Sequence, residues 1–262
     1  YGDNHDLHSF PTRRSSDLPV EVLVPAREPW HPQVRVLPVR PATLLARFDR
    51  AGDGAATATL TLHDPIESAT ARLGPVEVPL EADLAVPLAR VLDENAAYRG
   101  LARMPLYLDG DFAADLRGLH MLGPYRPGRV PVVLVHGLMD SPFSWMPLAN
   151  EILRDPALAA RVQIWAFFCA TVNPIAQSAA ELRHSIEALR ARVDPAGTDV
   201  AWDRMVLVGH SMGGLISRML VSRGTIAPAP ELAAAGAALP EDRRTYLESL
   251  GRLEPLPCVR RA

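Results

Sequence analysis

The stretch VLVGHSMGGLISRML, residues 206–220, limits this chain more than any other. Met205 to Val208 form a continuous apolar run, and Met212, Leu215, Ile216 and Met219 recur at helical spacing just after it. Between them stand Gly209, His210, Ser211, Met212 and Gly213, with Gly214 as a further glycine. A strand that becomes a helix within so few residues leaves no room for side chains beside its central residue, and it strains that residue's backbone. The spacing predicts a buried strand, a sharp turn and a helix, with the Ser211 hydroxyl lifted above the strand's carboxyl end. Such a hydroxyl is a weak nucleophile on its own. It needs a base to take its proton and an acid to orient that base.

The surrounding pattern supplies a sheet for this turn. VPVVLVHG, residues 130–137, is apolar on both faces, as a central parallel strand is. HGLMD, residues 136–140, then opens a helix at Ser141-Pro142. Trp145, Leu148, Ala149 and Ile152 make its apolar stripe, and Asp155-Pro156 ends it. VQIWAFF, residues 162–168, reads as the next strand. Ile175, Ala179, Leu182, Ile186 and Leu189 stripe the helix after it. Three strand–helix alternations predict an α/β fold with a parallel sheet flanked by helices. The backbone N–H groups of Leu138 and Met212 are expected to point into one site, where two donors can hold the charge of a tetrahedral intermediate.

Residues 118–262 carry this pattern, and residues 19–117 carry a different one. VEVLVP, VRVLPV, AATATLTLHD and GPVEVPLEADL are short alternating or apolar runs interrupted by proline, which points to a small β-rich region with several edge strands. AATATLTLHD reads as half-buried, and LAVPLARVLDEN as a short helix leaving the region. The Ala/Pro-rich stretch after Gly224, with the helical segment that follows, reads equally as a cap over the sheet or a surface helix pair. Residues 8–18, HSFPTRRSSDL, resemble the in-frame translation of a common sequencing adapter, so residues 1–18 are expected to be a disordered non-native tail.

Composition excludes several classes. A net charge of −3 gives no reason to expect a nucleic-acid partner. Two cysteines cannot build a disulfide framework, and no apolar run reaches the length of a membrane span. Paired Cys/His metal spacing and a phosphate-cradling glycine loop are both missing, so neither metal nor cofactor is implied. Nothing in the sequence selects a compartment or a membrane surface.

On these residues, the chain from 118 to 262 resembles the α/β-hydrolase superfamily on its lipase and esterase side. His136, Gly137 and Leu138 match that family's oxyanion turn, and Gly209, His210, Ser211, Met212 and Gly213 match its nucleophile elbow. The resemblance implies a serine hydrolase acting on a small-molecule or lipid carboxylic ester without a cofactor. An acyltransferase or peptidase on the same scaffold, or a non-catalytic binding protein, would share the pattern. The family order places an acid and then a histidine after the serine. The eight histidines are His5, His8, His31, His63, His120, His136, His184 and His210, and none follows Ser211. Glu241 and Asp242 read as a solvated helix start. The expectation is therefore a fragment cut before its acid and base, and inactive as it stands.

Overall fold

A computed structural model describes residues 17–23, 34–36, 39–50, 56–80, 83 and 117–261. Strands β1 (Asp17–Leu23), β2 (Val34–Val36), β3 (Val39–Arg50), β4 (Ala56–His63), β5 (Thr70–Leu73) and β6 (Val76–Pro79) precede the segment that holds the elbow. β7 (Gly118–Met121) and β8 (Val130–Val135) lead to a 3-10 turn at Pro142–Trp145, helix α1 (Met146–Arg154) and the short α2 (Pro156–Ala159). Then come β9 (Val162–Phe168), α3 (Ile175–Val193), β10 (Met205–Gly209) and α4 (Met212–Val221). β11 (Gly224–Thr225), α5 (Pro230–Ala237), α6 (Glu241–Gly251), β12 (Arg252–Leu253) and β13 (Val259–Arg261) complete the order.

Among the described residues, six strands form the main sheet in the order β13-β10-β8-β9-β7-β2. β13, β10, β8 and β9 are mutually parallel. The fold is α/β, but the sheet is mixed where a parallel one was expected, because β7 runs antiparallel to β9. The reason is length. Residues 122–129 join β7 to β8, and a parallel crossover needs a dozen or more residues. The chain can only reverse there, and β9 enters between the two strands after the excursion through α1 and α2. β2 extends the sheet beyond β7 in parallel, so the region before residue 118 contributes a strand to it.

Burial on both faces explains the continuous apolar runs. Val133, Val135, Trp165, Phe167, Met205 and Leu207 face α3 and α4, while Val132, Leu134 and Ile164 face α1 and α2. Trp165 packs on Trp202 at 5.3 Å between ring centroids. The α3 stripe falls as expected, with Ala179, Leu182, Ile186 and Leu189 buried. The other two stripes are shifted. α1 buries Met146, Ala149 and Leu153 and leaves Leu148 exposed. Its entry is a 3-10 turn, and a tighter winding changes the phase of everything after it. α4 buries Met212, Ile216 and Leu220, while Leu215 is 56% exposed.

β1, β3 and β4 form a separate antiparallel sheet. Its first rung takes in Asp17 and Leu18, the last two residues of the segment read as tail, whereas residues 1–16 lie outside the described residues. The LAVPLARVLDEN reading, residues 84–95, lies outside them too. β4 is exposed along almost its whole length, with Leu60 at 62% and Leu62 at 53%, and not half-buried as its alternation suggests. On β3, Ala42, Thr43 and Leu45 are buried, and Leu45 packs on Ala71 and Leu80. Arg126 ties this region to the main body by donating to the Ile66 carbonyl at 2.8 Å and to Glu67 Oε1 at 3.0 Å. The excursion after α4 leaves and returns at one point, where Gly224 pairs with Leu253 and Thr225 with Arg252. α6 buries no residue.

Candidate active site

β8 and β10 are neighbours, with Val135 opposite Gly209, so the turns that follow them meet at the carboxyl edge of the sheet. Ser211 sits between β10 and α4 with φ 52° and ψ −117°. That is the mirror image of extended backbone, which glycine enters readily and a residue with a Cβ enters at a cost of about 1–3 kcal/mol. Ser211 is exposed, as the elbow reading requires.

The glycines are there because nothing larger fits. A methyl group added at Gly209 would lie 2.4 Å from the Gly213 carbonyl, and one at Gly213 would lie 2.1 Å from the Val135 carbonyl oxygen. Both obstacles are backbone and cannot swing away. Gly137 is tighter against side chains: its added methyl would meet His210 Nδ1 at 2.9 Å and Ser211 Cβ at 3.4 Å. The turn after β8 and the turn that holds Ser211 are therefore in contact. Gly214 differs, with its nearest neighbour, the Gly209 carbonyl oxygen, at an ordinary 3.6 Å. Hydrogen bonds lock the elbow: His210 N–H donates to Val135 O at 3.1 Å, Gly213 N–H to His210 O at 2.8 Å and Gly214 N–H to Ser211 O at 2.9 Å.

Of the two expected oxyanion donors, Met212 opens α4 as a buried residue, and Leu138 is 54% exposed on the β8 turn. Among the described residues neither backbone N–H has a hydrogen-bond partner. The next residue, Met139, also has positive φ, at 56°, and is 51% exposed. Asp140 holds the start of the 3-10 turn, accepting from Ser141 N–H and from Ser144 Oγ, each at 2.7 Å. Ser141, the expected cap, makes no side-chain cap bond. The local signal for Asp140 was an acid just before Ser-Pro.

His136 is fully buried. Its Nε2 accepts from the Cys169 N–H at 3.1 Å, and its Nδ1 lies 3.0 Å from the Gly137 carbonyl oxygen. Burial pulls its pKa below the ordinary 6.5, against smaller opposing effects of the Gly137 bond and of Asp140. Burial also pushes the Cys169 thiol up to about 12. Sequence reasoning missed Cys169 as a partner, because that contact joins the ends of two strands and leaves no mark in local spacing.

No described side chain is hydrogen-bonded to Ser211 Oγ. His210 is exposed beside Gly137, His63 bonds Thr61 on β4, His120 lies on β7, and His184 is exposed on α3. His5, His8 and His31 lie outside the described residues. Glu241 and Asp242 are exposed at the start of α6. Among the described residues no cluster of His, Cys, Asp and Glu could hold a metal ion. No helix among them is long and apolar enough to cross a membrane. The cavity lined by Ile66, Gly123, Arg126, Arg129 and Gln163 opens at the amino ends of β8 and β9, the opposite edge from Ser211. Compared with known proteins, the chain matches no family model, no curated protein and no solved structure.

Proposed function

We propose that this chain carries the nucleophile elbow of an α/β-hydrolase-type serine hydrolase that acts on carboxylic esters. One observation carries the reading: an exposed, non-glycine residue with a hydroxyl is held at φ 52° by glycines that cannot be replaced without a backbone clash. Strain of this size persists only where the surroundings enforce it, and it gathers at reactive sites. In the reaction, Ser211 Oγ attacks the ester carbonyl and its proton passes to a base. The carbonyl oxygen becomes an oxyanion held by the N–H groups of Leu138 and Met212. Collapse expels the alcohol, which takes the proton from the base, and leaves an acyl group on Ser211. Water, deprotonated by the same base, then releases the acid.

An apolar substrate is favoured by what surrounds the serine. Leu138 and Met139 are about half exposed on the oxyanion turn, and Leu215, also exposed, follows one helical turn after Ser211. These side chains suit a hydrocarbon acyl or alcohol group better than a charged one.

The base is not in contact with Ser211 among the described residues, so the test uses the product of the whole reading frame that contains this sequence. A fluorophosphonate probe is expected to label Ser211 and to leave Ser211→Ala unlabelled. Ser211→Ala is expected to lower p-nitrophenyl ester turnover by about 10⁶-fold, as loss of a nucleophile does in comparable triads. Labelling at another residue, or unchanged turnover in Ser211→Ala, would overturn the reading.

A further inference from the structure

His136 transfers no proton in the reaction above, yet its ring is fully enclosed beside the site. Its contacts with the Gly137 carbonyl and with the Cys169 amide determine which nitrogen carries the proton, and the Cys169 Sγ, 3.7 Å from Nε2, can donate to the same bare nitrogen. The Cys169 amide can only donate, so Nε2 is the bare, accepting nitrogen. A neutral imidazole then has its proton on Nδ1, and Nδ1–H donates to the Gly137 carbonyl at 3.0 Å. Phe168 backs the ring at 5.5 Å between centroids, which limits its rotation.

The consequence lies in the next peptide. The Gly137 carbonyl and the Leu138 N–H belong to one planar unit, and no peptide among the described residues is cis. In a trans peptide the C=O and N–H point in opposite directions. Drawing the carbonyl inward to the buried imidazole turns the Leu138 N–H outward, at a residue that is 54% exposed and joined to the glycine packed on Ser211. We infer that His136 is a positioning residue: its single proton, fixed on Nδ1 by the Cys169 amide, sets the plane of the 137–138 peptide and thereby aims the Leu138 N–H at the substrate's oxyanion. This rests on the reading of Ser211 as nucleophile and Leu138 as oxyanion donor.

Two substitutions separate the two bonds. In His136→Asn, the side-chain amide can donate to Gly137 from near the Nδ1 position but cannot reach Cys169. In His136→Gln, the amide oxygen can accept from Cys169 while the donor to Gly137 is gone. Both are assayed in the whole reading-frame product with a soluble p-nitrophenyl ester. His136→Gln is expected to lose about 10²-fold in kcat with KM nearly unchanged, because losing one oxyanion donor costs about 10²–10³ in kcat. His136→Asn is expected to keep kcat within about tenfold, whatever its melting temperature. Wild-type kcat in His136→Gln overturns the inference, and so do equal losses in both variants that track their melting temperatures. Where neither variant folds, ¹⁵N-resolved spectra of the wild-type imidazole decide. A protonated Nδ1 with a bare Nε2 supports the inference; the other tautomer overturns it. Fluorophosphonate labelling in the same samples keeps the two readings apart. An unlabelled wild type removes the nucleophile, whereas a labelled wild type with an unaffected His136→Gln removes only the role of His136.

Discussion

The turns after β8 and β10 lie side by side, and both hold a non-glycine residue at positive φ, Met139 at 56° and Ser211 at 52°. Backbone hydrogen bonds brace the β10 turn as well, but the two turns differ in what confines them most tightly. The β10 turn is held by lack of space: backbone atoms stand where side chains of Gly209 and Gly213 would be. The β8 turn is held by hydrogen bonds, with His136 on one side and Asp140 on the other. A steric lock does not respond to pH and fails abruptly when a methyl group is added. A hydrogen-bonded lock tolerates small changes in volume but depends on a protonation state. On the proposed reading, Ser211, which would form the covalent bond, sits in the first kind of lock together with Met212, and Leu138, which would only present its N–H, sits in the second.

The first way to break this comparison is a glycine-to-alanine series, in which the cost should follow the clearance. Gly213→Ala, with its methyl 2.1 Å from the Val135 carbonyl, should cost at least about 4 kcal/mol or prevent folding, since strands β8 and β10 would have to part. Gly137→Ala should cost less, about 1–2 kcal/mol, because its nearest obstacle at 2.9 Å is the ring of His210, a side chain that can move. Gly214→Ala should be neutral or stabilise by up to about 1 kcal/mol, since it has ordinary clearance and lies in a helix where alanine is preferred. Urea melts of the three variants check the order. Equal effects at Gly213 and Gly214 would mean that space is not what holds the elbow.

The second way is pH. His136 is buried with its pKa below the ordinary 6.5. As pH falls below 6.5, the unfolded chain takes up a proton there that the folded chain refuses. The stability contributed by the neutral ring is therefore fully present above 6.5 and is lost as pH falls towards the depressed folded value. Melts at about pH 7.5 and about pH 5.5 should show the loss in wild type and less of it in His136→Asn. An unchanged pH dependence in that variant would remove His136 from the account of the β8 turn.

Much of the site was legible because glycine spacing records excluded volume directly. Gly209, Gly213 and Gly137 are each explained by a clash that their neighbours impose, and the α3 stripe repeats over enough turns to fix its phase. Features set by distant parts of the chain were not legible. The alternation in β4 marks a strand but does not say whether anything covers it, and Leu60 and Leu62 stand exposed. The stripes of α1 and α4 begin at irregular turns, where the starting phase is set by the turn and not by the helix. The direction of β7 follows from the short loop after it. The reach of His136 to Cys169 follows from β8 and β9 being neighbours, which no local spacing records.

The central claim is that Ser211 is kept in a conformation it resists, because the hydroxyl is needed there. The most direct test compares the stability of Ser211→Gly with that of Ser211→Ala. Both lack the hydroxyl, and only glycine adopts φ 52° without strain. Relief of about 1–3 kcal/mol, less about 0.5–1 kcal/mol for the greater freedom of glycine in the unfolded chain, predicts that Ser211→Gly is the more stable by about 1 kcal/mol. If Ser211→Gly proves equal to or less stable than Ser211→Ala, the turn is unstrained and the claim fails.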